Sequence, residues 1–124
     1  MDVELVCTSI RVWYGSFFKT TFSERKWSEL FGICVATVAD IVCRYFPTVL
    51  FSEIQTRYFL AYLSYLSKYP TYDNWIRTFQ ISGSDYASMI LRYYTDEMYR
   101  LLDEVRAEAR VSNSLIFRST GTTD

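Results

Sequence analysis

Carboxylates, thiols and small polar groups at helical spacing are the side chains here with chemistry to offer. The carboxylates form two pairs, Asp96-Glu97 and Asp103-Glu104, on one segment of helical periodicity. Arg100 and Arg106 are interleaved with them, so the pattern predicts a solvated, salt-bridged face rather than a catalytic dyad. The thiols are Cys7, Cys34 and Cys43, an odd number with no C-x-x-C pair. With no histidine anywhere, a zinc site would rest on these separated thiols and on carboxylates, a poor ligand set. Reduced, mostly buried thiols are the expectation. The missing histidine also removes every Ser–His and Cys–His nucleophile pair. The four glycines are scattered, so no loop is built to cradle a phosphate. Neither a metal nor a cofactor is expected, and the chain does not read as an enzyme.

The small polar groups are more informative. Ser84, Asp85, Ser88 and Arg92 gather on one side of a helical segment whose other side carries Ala87, Ile90 and Tyr94. Tyr86, Tyr93 and Glu97 repeat at the same spacing beside the apolar set. The preceding residues supply the rest of a motif. Pro70 ends what comes before, and Thr71 is placed to cap a short helix carrying Trp75 and Phe79. Gln80-Ile81-Ser82-Gly83 form a turn, and Ser82 with Asp85 resembles a capping box opening the next helix. A short helix, a Gly-containing turn and a longer helix with one polar face make the layout of a helix-turn-helix.

The chain does this twice. Trp27, Phe31, Ile33, Ala39 and Arg44-Tyr45 recur 48 residues later as Trp75, Phe79, Ile81, Ala87 and Arg92-Tyr93. Thr37, Asp40 and Arg44 then stand where Asp85, Ser88 and Arg92 stand. A repeat at a fixed interval is a statement about architecture before any function is invoked. The sequence therefore predicts an all-α domain with two tandem helix-turn-helix units flanking a central hydrophobic helix.

That central helix is expected from Ser52 to Lys68, with Ser52 as its cap. Phe59, Leu63 and Leu66 form one stripe, and Tyr58, Tyr62, Tyr65 and Tyr69 another; the tyrosines are read as core rather than as a surface for a partner or for nucleic acid. Ser23 is the expected cap of the Trp27 helix, Gly32 its turn, and Pro47 the stop of the helix that follows. The β-branched residues of 3–19 allow a strand, but an N-terminal helix interrupted near Gly15 fits an otherwise helical chain better. The second long helix is expected from Gly83 to about Arg110. These boundaries give an arm or helix over 1–21, a tandem helix-turn-helix domain over 22–110 and a tail over 111–124.

With 124 residues, half of them hydrophobic and 19% aromatic, the chain has enough apolar surface for a real core. No apolar run reaches the roughly 18 residues of a spanning helix, and no signal peptide is recognisable. A soluble, intracellular protein with no membrane partner is the expectation.

Residues 22–106 resemble the N-terminal region of Harbinger-type transposases of the DDE superfamily. The likeness is carried by FGICVATVADIV, FLAYLSYLSKYPT and FQISGSDYASMILRYY, and most specifically by Leu66-Ser67-Lys68-Tyr69-Pro70-Thr71. In that family a turn-helix is followed by a hydrophobic helix, a second helix-turn-helix, and then an RNase-H-like catalytic domain. Here Ser119-Thr120-Gly121-Thr122-Thr123-Asp124 echoes the start of that domain, with Thr120 at the place of its first aspartate. The resemblance implies a nuclear, DNA-binding module of transposase descent without strand transfer.

On that reading Ser84, Asp85 and Ser88 face bases, while Arg92, Arg77 and Lys68 contact phosphates. Thr37, Asp40 and Arg44 offer the same in the first unit, and Lys19, Arg25 and Lys26 form an arm. Thirteen basic against 14 acidic residues leave a net charge of −1, which predicts weak, salt-sensitive binding to double-stranded DNA. The competing reading is a helical module that binds a protein partner or a second copy of itself through its tyrosines and acidic helix.

Overall fold

The computed structural model describes residues 2–120, with side chains described for all of these except Phe51 and residues 112–120. The chain forms α1 (Val3–Phe18), α2 (Glu24–Phe31), α3 (Val35–Tyr45), a single 3-10 turn (Val49–Phe51), α4 (Glu53–Lys68), α5 (Tyr72–Phe79) and α6 (Ser84–Thr120). Among the described residues there is no strand, and the fold is all-α. Two compact units, Met1–Leu91 and Arg92–Asp124, divide within α6.

Local chemistry sets the helix starts. The hydroxyls of Ser23, Ser52 and Thr71 accept the backbone N–H groups of Lys26, Gln55 and Asn74 at 3.1, 3.5 and 3.4 Å, satisfying donors that each first turn would leave open. Asp2 does the same for Glu4 N–H at 2.9 Å. The fourth expected cap is displaced. Gly83, not Ser82, occupies the capping position of α6, since its carbonyl accepts the Ala87 N–H at 3.0 Å. No side chain is available at a glycine, so the capping box does not form.

The helix ends are closed by residues in left-handed conformation: Lys19, Gly32, Tyr69 and Gln80, with φ of 53, 72, 48 and 53°. At Gln80 the N–H groups of Gln80 and Ile81 turn back to the carbonyls of Arg77 and Ile76, which is a Schellman closure. Lys19 closes α1 in the same manner, with Thr20 N–H reaching Gly15 O at 3.3 Å. This corrects the expected break at Gly15. The helix runs through Gly15, whose missing side chain lets the Thr20 carbonyl pass close by. Tyr45 ends α3 two residues before Pro47, as the steric limit on a residue preceding proline requires.

The repeat extends further than its sequence suggests. α2 and α5 are both 8 residues long and sit 48 apart, and the preceding α1 and α4 are both 16 residues long but sit 50 apart. The connection 19–23 before α2 is two residues longer than 69–71 before α5, which accounts for the change of interval. Each copy is thus a long helix, a short helix and a third helix. Burial follows the correspondence: Val6, Ile10, Trp13 and Tyr14 of α1 match Thr56, Leu60, Leu63 and Ser64 of α4. Val42 and Phe46 match Ile90 and Tyr94, all buried.

α1 packs on α3, and α4 contacts both α2 and α5, so α4 is the central helix of the first unit. Trp27, Trp75, Phe31, Phe59 and Phe79 are the largest fully buried side chains of that unit. The two copies meet where Phe31 and Phe79 lie edge to face at 6.0 Å, with Phe18 a further 6.1 Å from Phe79. Two polar bonds fix the arrangement. Ser64 Oγ donates to Leu30 O at 2.7 Å, tying the end of α2 to α4, and Trp75 Nε1 donates to Ala61 O at 2.8 Å. The α2–α3 turn also lies against α4, because a side chain at Gly32 would collide with Ser67 Oγ.

The tyrosine stripe is core only in part. Tyr62 is buried, Tyr58 and Tyr65 are half-buried, and Tyr69, which has left the helix as its left-handed cap, is 79% exposed. Leu66 in the last turn is also exposed. α6 continues ten residues beyond the expected Arg110, to Thr120. Ser119 and Thr120 therefore belong to a helix, and residues 121–124 of the catalytic-domain echo lie outside the described residues. In the second unit Arg100 bridges Glu97 at 3.0 Å and Glu104 at 2.6 Å, the salt-bridged face read from the sequence. Among the described residues no helix is long and apolar enough to cross a membrane.

Candidate nucleic-acid interface

Two helix pairs have the helix-turn-helix layout. Three residues, 32–34, join α2 to α3, and four, 80–83, join α5 to α6. In each pair the third helix of the copy buries one side (Val35, Val38, Ala39 and Val42 in α3; Ala87 and Ile90 in the first turns of α6) and leaves the other in solvent.

In the first copy the exposed side is already engaged with itself. Arg44 Nε donates to Asp40 Oδ1 at 3.0 Å, so its charge is compensated on its own helix. Thr37 Oγ1 lies 3.1 Å from Cys34 Sγ. That hydrogen bond, with the Thr37 backbone N–H, pulls the exposed Cys34 thiol below its ordinary pKa. Burial pushes the Cys7 thiol the other way. Only Cys7 of the three thiols is buried, because Cys34 caps α3 at the surface and Cys43 is half-covered.

The second copy differs. Ser84, Asp85 and Ser88 are exposed on the first two turns of α6. Ser88 Oγ lies 3.1 Å from the hydroxyl of Tyr72 at the start of α5, which couples the two helices of the motif. Lys68, at the end of α4, and Arg77, on α5, are exposed, and no described carboxylate lies within ion-pair distance of either. Arg92 is the first residue of the second unit and is exposed there. Asp73 and Asp85 are the acidic groups of the same stretch.

The expected N-terminal arm is instead folded structure. Lys19 caps α1, Arg25 pairs with Glu29 at 3.3 Å, and Lys26 Nζ donates to Thr20 Oγ1 at 3.1 Å.

Two residues escaped the reading from polar types. Met89 is 63% exposed, one turn beyond Asp85 on the outward side of α6, and Tyr86 is 50% exposed. In the first copy Val38 and Ile41 hold these two places, buried and half-buried. The signal was present: Met89 follows Asp85 at i+4, so a residue outside the Ala87–Ile90 stripe had to face outward whatever its polarity.

The chain matches no protein-family model, no curated protein and no solved structure. Among the described residues no group of three His, Cys, Asp or Glu side chains is arranged to hold a metal ion.

Proposed function

We propose that the chain is a double helix-turn-helix module that binds duplex DNA through its second copy, of the kind that precedes the catalytic domain of Harbinger-type transposases. Its compartment is then the nucleus, and it carries out no strand transfer itself. The observation that carries this reading is the asymmetry between the copies. The first turns of α6 present Ser84, Asp85 and Ser88 to solvent, and among the described residues no carboxylate pairs with Lys68 or Arg77 of the same copy. Of the matching positions of α3, Asp40 is held in the Arg44–Asp40 bridge and Thr37 lies against Cys34 Sγ.

In such a module the first turns of the third helix reach base edges, while cations around them hold phosphates. Lys68 and Arg77 supply the phosphate contacts, and Asp85 is an acceptor suited to cytosine N4. Thr37, Asp40 and Arg44 are left out of the interface. Lys68 and Arg77 against Asp73 and Asp85 leave residues 68–91 without net charge, which is why the affinity is weak.

The test is fluorescence anisotropy with labelled random-sequence duplex at two salt concentrations. Two phosphate contacts give a log–log salt slope of roughly −1.8. Lys68→Ala and Arg77→Ala each flatten it by about one, and Arg44→Ala leaves it unchanged. Absence of binding at low salt rejects the function, and a slope insensitive to Lys68 and Arg77 rejects the interface.

A further inference from the structure

Met89 is a large apolar side chain on the outward side of α6, 63% exposed. The corresponding position of the first copy, Ile41, is half-covered by its own fold, so exposure here is particular to the second copy. Its neighbours narrow what it can do. Asp85, one turn earlier, is exposed, and Ser88 is engaged by the Tyr72 hydroxyl at 3.1 Å. On the second turn of α6 the side chain left to meet a partner is therefore apolar.

In the major groove one feature rewards an apolar contact: the C5-methyl group of thymine. We infer that Met89 reads a thymine methyl, and that the DNA class recognised contains a thymine close to the base read by Asp85. The inference rests on the DNA-binding reading above. Four residues of helix rise about 6 Å and base pairs are stacked about 3.4 Å apart, so the two bases are about two steps apart at most. The thioether is flexible and polarizable, which suits it to closing over a methyl group at the floor of a groove. Asp85 accepts from cytosine, so the recognised element holds a C·G and a T·A pair within about two steps of each other.

The experiment begins with selection of a preferred site from a random duplex library. Each thymine of the selected duplex is then replaced in turn by deoxyuridine, which lacks only the methyl group. The expected result is one thymine at which the replacement weakens wild-type binding about threefold to fivefold, the worth of one buried methyl group. Met89→Ala, safe for folding because the residue is exposed and alanine is a strong helix former, binds the two duplexes equally. Wild-type binding that ignores every replacement overturns the inference and leaves the DNA-binding reading standing. Discrimination that survives in Met89→Ala overturns it as well. A library that yields no bound duplex at low salt removes both.

Discussion

Trp75 is the residue on which the second copy closes, and its replacement is the most direct test of the packing. The indole is 1% exposed, meets Tyr65 edge to face and Tyr72 at a tilt with centroid distances of 5.1 and 5.9 Å, and donates to Ala61 O at 2.8 Å. Burying a tryptophan removes about 200 Å² from water, about 5 kcal/mol at 25 cal/mol per Å². The hydrogen bond adds about 1 kcal/mol. Deducting what alanine retains, and the burial already present in the unfolded chain, leaves about 4 kcal/mol for Trp75→Ala. Trp75→Phe keeps a ring and loses the N–H, and is expected to cost about 1–2 kcal/mol. The assay is urea unfolding followed by far-ultraviolet circular dichroism. With a slope near 2 kcal/mol per M, Trp75→Ala moves the midpoint down by about 2 M. Trp27→Ala lowers the same transition, because the copies share the Phe31–Phe79 contact. A loss under about 1 kcal/mol for Trp75→Ala, or separate transitions for the two variants, refutes the shared core.

Gly32→Ala is expected to cost about 2–4 kcal/mol, from the left-handed φ of 72° together with the collision of its Cβ with Ser67 Oγ. Adding Ser67→Ala returns about 1 kcal/mol of this, and a strictly additive double variant dismisses the collision. Burial, with a smaller contribution from Tyr93, pushes the Tyr94 phenol from its ordinary value of 10.0 up to about 12. The unfolded chain releases that proton first, so the stability tied to it is complete below pH 10.0 and is lost as pH rises through about 12. Tyr94→Phe should therefore flatten the fall of the urea midpoint over this window, and an unchanged fall refutes the assignment.

Much of this fold is legible in residue types because local chemistry and packing agree. Ser23, Ser52 and Thr71 are helix caps by type, and each makes the bond its type predicts. The Trp–Phe anchors announce α2 and α5 because large aromatic residues at a common interval have few surface uses. The kinship of α1 and α4 is hidden. A two-residue difference in their connections breaks the interval, and burial is conserved between Tyr14 and Ser64 while their chemistry is not. Lys19, Tyr69 and Gln80 carry no local mark of the left-handed conformation that tertiary packing imposes. At the candidate interface polarity pointed to Ser84, Asp85 and Ser88, but Met89 was passed over because its type suggests core. The Arg44–Asp40 bridge follows from i,i+4 spacing alone, yet its consequence, an α3 surface with its charge already spent, emerges only beside α6.

The correspondence between the copies places Phe46-Pro47 opposite Tyr94-Thr95. α3 halts before its proline, and α6, with threonine there, runs on to Thr120. Proline and threonine codons differ in their first base alone, so one point mutation separates a stopped helix from one free to elongate. Helix length in a repeated module of this kind is thus a trait of very small mutational distance. One copy can keep a short third helix for the core while the third helix of the other lengthens.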